Sequence, residues 1–183
     1  ACKKNADELS AASLSPVAYE TGKVQAGAAS LVSVSSENFE TGTKTSYTAG
    51  TVTLSSGVWN FNDALLGNST TDRKNGAQSA RVRNTGTLTM NFDLAGGASA
   101  VTVYHALFGT DASSTWQLWY STNGGSTYTQ AGATITTSST TLTAANFTLA
   151  VTGNVRFQIR KISGGTNRIN FDDFSVTDNT GGG

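Results

Sequence analysis

The chain has 183 residues, a formal net charge of +0 and only 13% charged residues. That length supplies one domain with a real core, no apolar run approaches the roughly 18–20 residues that a helical membrane span needs, and the neutral balance gives no reason to expect whole-domain attraction to nucleic acid or membrane. The excess lies in Thr, Ser, Gly and Asn, with 20 Gly against one Pro, which suits half-buried strands and tight turns in a secreted or surface β-protein.

The chain opens on Ala1-Cys2-Lys3-Lys4. Cys2 is the only cysteine, so no internal disulfide forms, and a leftover cysteine points to a free thiol, an intermolecular link or a lipid anchor. A small residue before Cys2 and a polar stretch after it resemble the end of a bacterial lipobox. The resemblance implies a lipid on Cys2 that holds the protein to the outer membrane of a diderm bacterium, at the cell surface. At about 0.8 kcal/mol per buried methylene, several acyl chains anchor firmly. Residues 1–35 read as a tether of Ala, Ser and Gly without sustained period, in which 7–14 would form at most two marginal helical turns. Leu31, Val32 and Val34 begin to read as a strand. At the other end, 179–183 read as the start of a Gly-rich linker.

From 36 to 178 the expected elements are strands. Val52 and Leu54 alternate with Thr, Trp59 and Phe61 with Asn60 and Asn62, and Leu88, Met90 and Phe92 with Thr89, Asn91 and Asp93. Phe147, Leu149 and Val151, then Val155, Phe157 and Ile159, repeat the pattern. One buried and one wet face is the mark of antiparallel sheets. About ten such segments between Gly, Asn and Ser turns predict an all-β, antiparallel two-sheet β-sandwich with no helix longer than two turns.

The run "VTVYHALF" at 101–108 is apolar on both faces and reads as a central strand. His105 shares parity with Val101, Val103 and Leu107. It therefore reads as a hydrogen-bonded core residue, with no partner for acid–base work. In "WQLWYSTNGGSTYTQ", Asn123-Gly124-Gly125 supplies the positive φ that tight hairpins need. Ser121, Asn123, Gly125, Thr127 and Tyr128 resemble the Asp-box, with Asn123 for its Asp and Tyr128 for its Trp. That motif is a folding signature and implies a hairpin, without a catalytic residue.

Trp116, Leu118 and Tyr120 take the core face of their strand and Trp119 the other face; Tyr104 likewise opposes Val101 and Val103. An outward aromatic on a polar face either stacks on a sugar ring or base or lies under a loop or the tether. Charge is uneven too. Arg73, Lys74, Arg81, Arg83, Arg156, Arg160, Lys161 and Arg168 are opposed within their stretch only by Asp93 and Asp111. Arg81 and Arg83 share one strand face, and Arg156 and Arg160 another. If adjoining, these faces would bind phosphate with steep salt dependence; apart, they are solvated surface.

The segment "INFDDFSVT" at 169–177 breaks its own alternation: Ile169 and Phe171 share one parity, Phe174 and Val176 the other. A β-bulge re-aims side chains in this way. Two adjacent carboxylates there, Asp172 and Asp173, repel each other and call for a cation, either Arg168 or a metal ion. Together with "ENFETG" at 37–42, the segment resembles the ends of jelly-roll modules such as carbohydrate-binding modules. The resemblance implies a jelly-roll-like sandwich in which Glu40, Asp172 and Asp173 hold a structural Ca2+, a hard cation suited to oxygen ligands. "FETGTKTSY", "WNFNDALLGN", "DRKNGAQSARVRNTGTLTM" and "STWQLWYSTNGGSTYTQ" further resemble the accessory β-sandwich module N-terminal to secreted bacterial non-specific DNA/RNA endonucleases, over about residues 36–178. That likeness implies a context and assigns no activity to this module.

An enzyme reading finds little to stand on. His105 is inward, and adjacent aspartates are poorly placed to flank a bond at the roughly 5–9 Å that glycoside hydrolysis needs. The expectation is a non-catalytic surface module that binds or targets a polymer, polysaccharide or nucleic acid, through Trp119, Tyr104, Arg81, Arg83, Arg156 and Arg160, or docks to an outer-membrane assembly. The alternative is a structural subunit of a surface fibre or adhesin, whose segment 1–35 donates a strand to a protein partner or to another copy of itself.

Overall fold

The computed structural model describes residues 33–180. They form ten strands and no helix: β1 (Val34–Glu37), β2 (Gly50–Leu54), β3 (Gly57–Gly67), β4 (Ser79–Met90), β5 (Ala98–Leu107), β6 (Ser114–Ser121), β7 (Thr129–Thr137), β8 (Thr143–Val151), β9 (Arg156–Lys161) and β10 (Ile169–Thr177). Every pairing between these strands is antiparallel. Val34 and Ser35, read above as tether, belong to β1. Cys2, the rest of the tether and the 181–183 glycines lie outside the described residues.

The hydrogen-bonded path runs β7-β6-β9-β4-β10-β5-β8, with β3 also on β4, β2 on β3 and β1 on β10. It folds into two layers because β4 changes partner along its length. Ala80, Arg81 and Val82 pair with β10, whereas Thr87, Leu88 and Thr89 pair with β9. Between them the chain bends, with Asn84 at φ 51° and, on the neighbouring β3, Asp63 at φ 46°. The β3–β4 register shifts at the same level, as at sandwich corners where a strand passes between sheets. Gly86 is required at this corner, since a Cβ there would lie 2.6 Å from the Asn62 carbonyl oxygen and 2.7 Å from that of Asp63. Lys161 holds the corner from beneath. Its buried Nζ donates to the carbonyls of Asn84, Ser163 and Gly165 at 3.1, 2.7 and 2.9 Å.

The layers meet through aromatic edges. Trp116 of β6 packs against Phe171 of β10 and Phe147 of β8, with centroids 5.0 and 5.9 Å apart. Phe174 of β10 packs against Trp59 of β3 and Phe157 of β9 at 5.6 and 5.9 Å. The expected alternation holds: Trp59, Phe61, Leu88, Met90, Phe157 and Ile159 are all buried. Phe92, read as the next inward residue after Met90, lies beyond the end of β4 and is half-buried. β5 lies between β10 and β8, the central position expected of the run at 101–108, although Tyr104 on its outer face is exposed.

The irregularity in β10 is a bulge. Its register against β5 shifts between Asp172 and Ser175, and Asp173 has φ 43°. Ile169 and Phe171 before it, and Phe174 and Val176 after it, are all buried. β4 leaves the edge of β10 after Phe171, and β1 takes its place from Phe174.

Candidate functional site

The outer face of the β3-β4-β9-β6-β7 layer carries two polar rows, made by strand register. Asn60, Thr89, Gln158, Trp119 and Gln130 stand opposite one another in turn across five strands. Asn62, Thr87, Arg160 and Gln117 form the adjacent row. All nine are partly or fully exposed, while the residues between them along each strand face the core. At about 4.8 Å between strands, five strands span about 19 Å.

Side chains in these rows brace one another. Trp119 Nε1 donates to Gln117 Oε1 at 3.0 Å, and Gln117 Nε2 donates to Thr134 Oγ1 at 2.8 Å. Gln158 Nε2 donates to Thr89 Oγ1 at 2.7 Å, and its Oε1 accepts from Arg160 Nε. The Arg160 guanidinium lies over the Trp119 ring, 4.1 Å from its centroid, and 5.4 Å from that of Tyr128. Tyr128 is placed by the expected hairpin. Asn123 Oδ1 accepts from Thr127 N at 3.0 Å, Ser121 Oγ accepts from Gly125 N at 2.9 Å, and Gly124 and Gly125 have φ 69° and 87°. Trp119 is therefore outward, and what covers one of its faces is an arginine rather than a loop.

Tyr104, the second aromatic candidate, is on the other layer. It is 37% exposed on the outer face of β5, beside an open cavity of about 710 Å3 that Lys74, Asn75, Ser36 and Asp173 also line. Trp116 of β6 lies 5.2 Å from His105 of β5 across the core, so their chain neighbours Trp119 and Tyr104, which point outward, lie on opposite sides of the sandwich and make no common platform.

The arginines do not form one basic face. Arg81 and Arg83 precede the bend in β4, whereas Arg156 and Arg160 stand on β9, beside the half of β4 that follows it. Arg81 pairs with Asp72 at 3.2 Å, Arg83 with Asp63 at 3.1 Å and Arg156 with Asp93 at 2.6 Å. The charge imbalance read along the chain is halved at the arginines because Asp63 and Asp72, which lie ahead of the stretch in which it was counted, pair with Arg83 and Arg81. Of the four candidates only Arg160 has no carboxylate partner among the described residues.

The acidic set is more closely tied to backbone than its residue types suggested. Arg168 does not serve the aspartates of β10; it forms a two-pronged pair with Asp111, at 2.7 and 2.9 Å. Asp172 is fully buried. Its oxygens accept from Asn75 N at 2.7 Å and Asp173 N at 2.8 Å, while Asp173 Oδ2 accepts from Asn75 Nδ2 at 2.9 Å. Both Glu40 oxygens accept from Ala77 N, at 3.0 and 2.9 Å. Burial pushes the Asp172 carboxyl up to about 7; the two backbone donors oppose that shift, and the charges of Asp173 and Glu40 reinforce it. The three carboxylates thus share a locality, and their oxygens are of the type calcium prefers. They are turned toward N–H donors, and among the described residues no three acidic, His or Cys side chains gather where one metal ion could be held.

His105 is inward, as its parity indicated. Nδ1 lies 2.8 Å from Thr137 Oγ1, and burial lowers its pKa to about 4. Sequence reasoning passed over Asn60, Asn62, Thr87, Thr89, Gln117, Gln158 and Gln130. Their signal was present as the outward half of each alternation, but without register nothing aligned one strand's outward residues with the next. It also missed that residues 68–78 lie over β10, where Asn170 Nδ2 donates to Asp72 Oδ1 at 2.8 Å and to Ser79 Oγ at 3.0 Å.

No protein-family model matches the chain, and no curated protein matches it. Among solved structures, the chain is similar to the K1 cleaved adhesin domain of Lys-gingipain from Porphyromonas gingivalis W83. The two share 16% identity with a TM-score of 0.59, over 80% of this chain and 99% of that one. It is similar to the CBM22-1 xylan-binding domain from Paenibacillus barcinonensis Xyn10C, at 12% identity and a TM-score of 0.53, over 80% and 96% of the two chains. It is also similar to TmCBM61 in complex with beta-1,4-galactotriose, at 12% identity and a TM-score of 0.51, over 66% and 88%. At these identities the likeness is one of fold: a β-sandwich shared with carbohydrate-binding modules and adhesin domains.

Proposed function

We propose that the chain is a non-catalytic module that holds a linear polysaccharide across the outer face of the β3-β4-β9-β6-β7 layer. The observation that carries this reading is the pair of register-aligned polar rows around Trp119. Amides and hydroxyls both donate and accept hydrogen bonds, as sugar hydroxyls do, and an aromatic face beside them takes the apolar face of a sugar ring. The side-chain amides of Asn60 and Asn62 and the Thr87 hydroxyl make no hydrogen bond to another described residue, so these groups are free for a ligand. Two of the similar folds are named for xylan binding or solved with a galactotriose, which supports the reading by analogy of fold. Absence of catalysis is part of the proposal, with His105 spent on the core and Asp172 on backbone donors.

The test is titration of the isolated chain with soluble xylan, galactan and mannan, with assay for released reducing ends. Saturable binding without hydrolysis is expected, weakened roughly tenfold or more in Trp119→Ala. No affinity for any glycan would overturn the reading. If ordered oligomers then form and vanish on removal of residues 1–32, which leaves β1 whole, the chain is instead a strand-donating surface subunit.

Three further parts of the proposal concern context. A lipid on Cys2 would place the module on the outer membrane, and the intact mass of native protein should show the acyl addition. The sandwich would also serve a larger secreted protein as an accessory module, as its resemblance to endonuclease-associated modules implies. Ca2+ at Glu40, Asp172 and Asp173 would require these carboxylates to give up backbone N–H donors for the ion. A chelator should then lower the melting temperature of native protein, and Asp173→Asn should lose that response.

A further inference from the structure

The open face carries one charge that nothing on it balances. Arg81, Arg83, Arg156 and Arg168 each pair with a carboxylate, and Arg160 pairs with none among the described residues. The carboxylates that border its rows are already engaged, Asp93 by Arg156 and Asp63 by Arg83. Burial works against the charge on Arg160, yet a guanidinium keeps its proton in a protein. A half-buried cation without a counter-charge carries a desolvation cost that a bound anion would offset.

The placement of Arg160 also selects the kind of anion. Its Nε is committed to Gln158 Oε1, and Gln158 is in turn held by Thr89. Its guanidinium is fixed over Trp119, which is held by Gln117. The far edge, Nη1 and Nη2, makes no hydrogen bond to any described residue. Two parallel N–H groups on a fixed planar fork match the two oxygens of a planar carboxylate. Around that fork stand neutral groups that suit sugar hydroxyls: Asn62, Thr87 and Gln117 on its own row, with Gln158 beside them.

We infer that the polysaccharide held on this face is acidic, and that a uronic-acid carboxylate docks end-on against Nη1 and Nη2 of Arg160. This rests on the polysaccharide reading and adds the substrate class. Only one unpaired cation serves the ligand, so the ligand is a glycan with spaced or single carboxylates held mainly by neutral contacts, not a polyphosphate chain.

The experiment compares polygalacturonate with its methyl ester, a sulfated galactan and a neutral galactan, all by titration calorimetry on the whole chain. Wild type should bind the free acid roughly tenfold to a hundredfold more tightly than the ester, the range for a charge-assisted hydrogen-bonded pair. Arg160→Gln should bring the acid-to-ester affinity ratio down to about one, and that ratio is the readout whatever the variant does to neutral-glycan affinity through Trp119 and Gln158. Arg160→Lys, which keeps the charge and loses the fork, should recover only part of it. Melting curves of both variants should stay within a few degrees of wild type, showing that the fold is intact. Equal affinity for acid and ester in wild type overturns the uronate assignment and leaves the polysaccharide reading standing. A sulfated galactan bound as tightly as the uronate, with the same dependence on Arg160, overturns the selection for a planar carboxylate. Failure to bind any of the four overturns this inference, and if xylan and mannan also fail to bind the polysaccharide reading falls with it.

Discussion

The two outer faces of the sandwich use similar residue types to opposite ends. On the β10 side, residues 68–78 fold over the sheet, and the polar side chains beneath them bond inward. Asp72 accepts from Ser69, Arg81 and Asn170, and Asp172 accepts from two backbone amides. On the β9 side none of the described residues is laid over the sheet, and Gln117, Gln158 and Trp119 bond sideways to one another or to β-strand neighbours, leaving Asn60, Asn62 and the end of Arg160 without a described partner. Buried polar groups must be satisfied within the protein, so a covered face becomes part of the scaffold. An uncovered face can leave groups unspent, and unspent groups are what a ligand recognises. The number of polar residues does not distinguish the faces; the loop does.

The strongest way to break this contrast is to remove the centre of the covered face. Asp72→Ala strips the partner from Arg81, whose side chain is 16% exposed against 0% for Asp72, and leaves donors of Ser69 and Asn170 without an acceptor. Breaking a buried pair from one side costs about 3–5 kcal/mol. At roughly 2–4 °C per kcal/mol for a domain of this size, the melting temperature should fall by about 10 °C. Glycan affinity measured below the transition should not change. A loss of affinity at a temperature where the variant is folded would mean that the two faces are coupled.

How far the sequence shows all this depends on whether the signal is local. Alternation at Trp59/Phe61 and Leu88/Met90, the parity change at Asp172 and the Asn123-Gly124-Gly125 turn each lie within a few residues, and each is realised in the fold. The sandwich and its bulge were therefore legible. The site was legible only in part, because Trp119 and Arg160 belong to different strands and meet through the β6–β9 register. The arginines misled for the same reason, since Asp63 and Asp72 reach Arg83 and Arg81 across a hairpin and a loop. The loop over β10 gave no sign, because "NSTTDRKNG" reads as an ordinary polar connection.

A smaller effect separates the inside of the molecule from its open face by pH. Asp172 is pushed from 3.8 to about 7, so its neutral form is favoured in the fold. Its contribution is fully present below pH 3.8 and is lost as pH rises through 7. His105 is lowered from 6.5 to about 4, also favouring the neutral form. Its contribution is fully present above pH 6.5 and is lost as pH falls through 4. Over the window from 4 to 6.5 the two oppose each other, and stability in the presence of a chelator should be nearly flat. Asp172→Asn should expose the His105 slope, with stability falling by up to a few kcal/mol on acidification. His105→Gln should expose the reverse slope. Since the chain has a single histidine, its NMR titration reads the site directly, and a midpoint near 6.5 would show that the buried setting is wrong. Affinity of the open face should not change across the same window.

The smallest expected effect sharpens the contrast at its border. Arg83 stands just ahead of the bend in β4, pairs with Asp63 at 3.1 Å with side chains 41% and 35% exposed, and lies 4.0 Å from the Tyr47 ring centroid. Exposed pairs contribute about 0–1 kcal/mol and are screened by salt, and an exposed cation–π contact adds about 0.5–1 kcal/mol. Arg83→Gln should therefore shift the melting temperature by only a few degrees, and less in high salt, with acidic-glycan affinity intact. Arg160→Gln is the same substitution one strand away, and there the ranking should reverse: the stability change stays small, since only the contacts to Trp119, Tyr128 and Gln158 go, and the preference for the acidic glycan is lost. The reversal follows from what each guanidinium already touches: Arg83 has its carboxylate and Arg160 does not. If Arg83→Gln weakened the acidic glycan as much as Arg160→Gln does, the ligand would cross the bend in β4 onto the other layer, and the division between a spent face and an open one would fail.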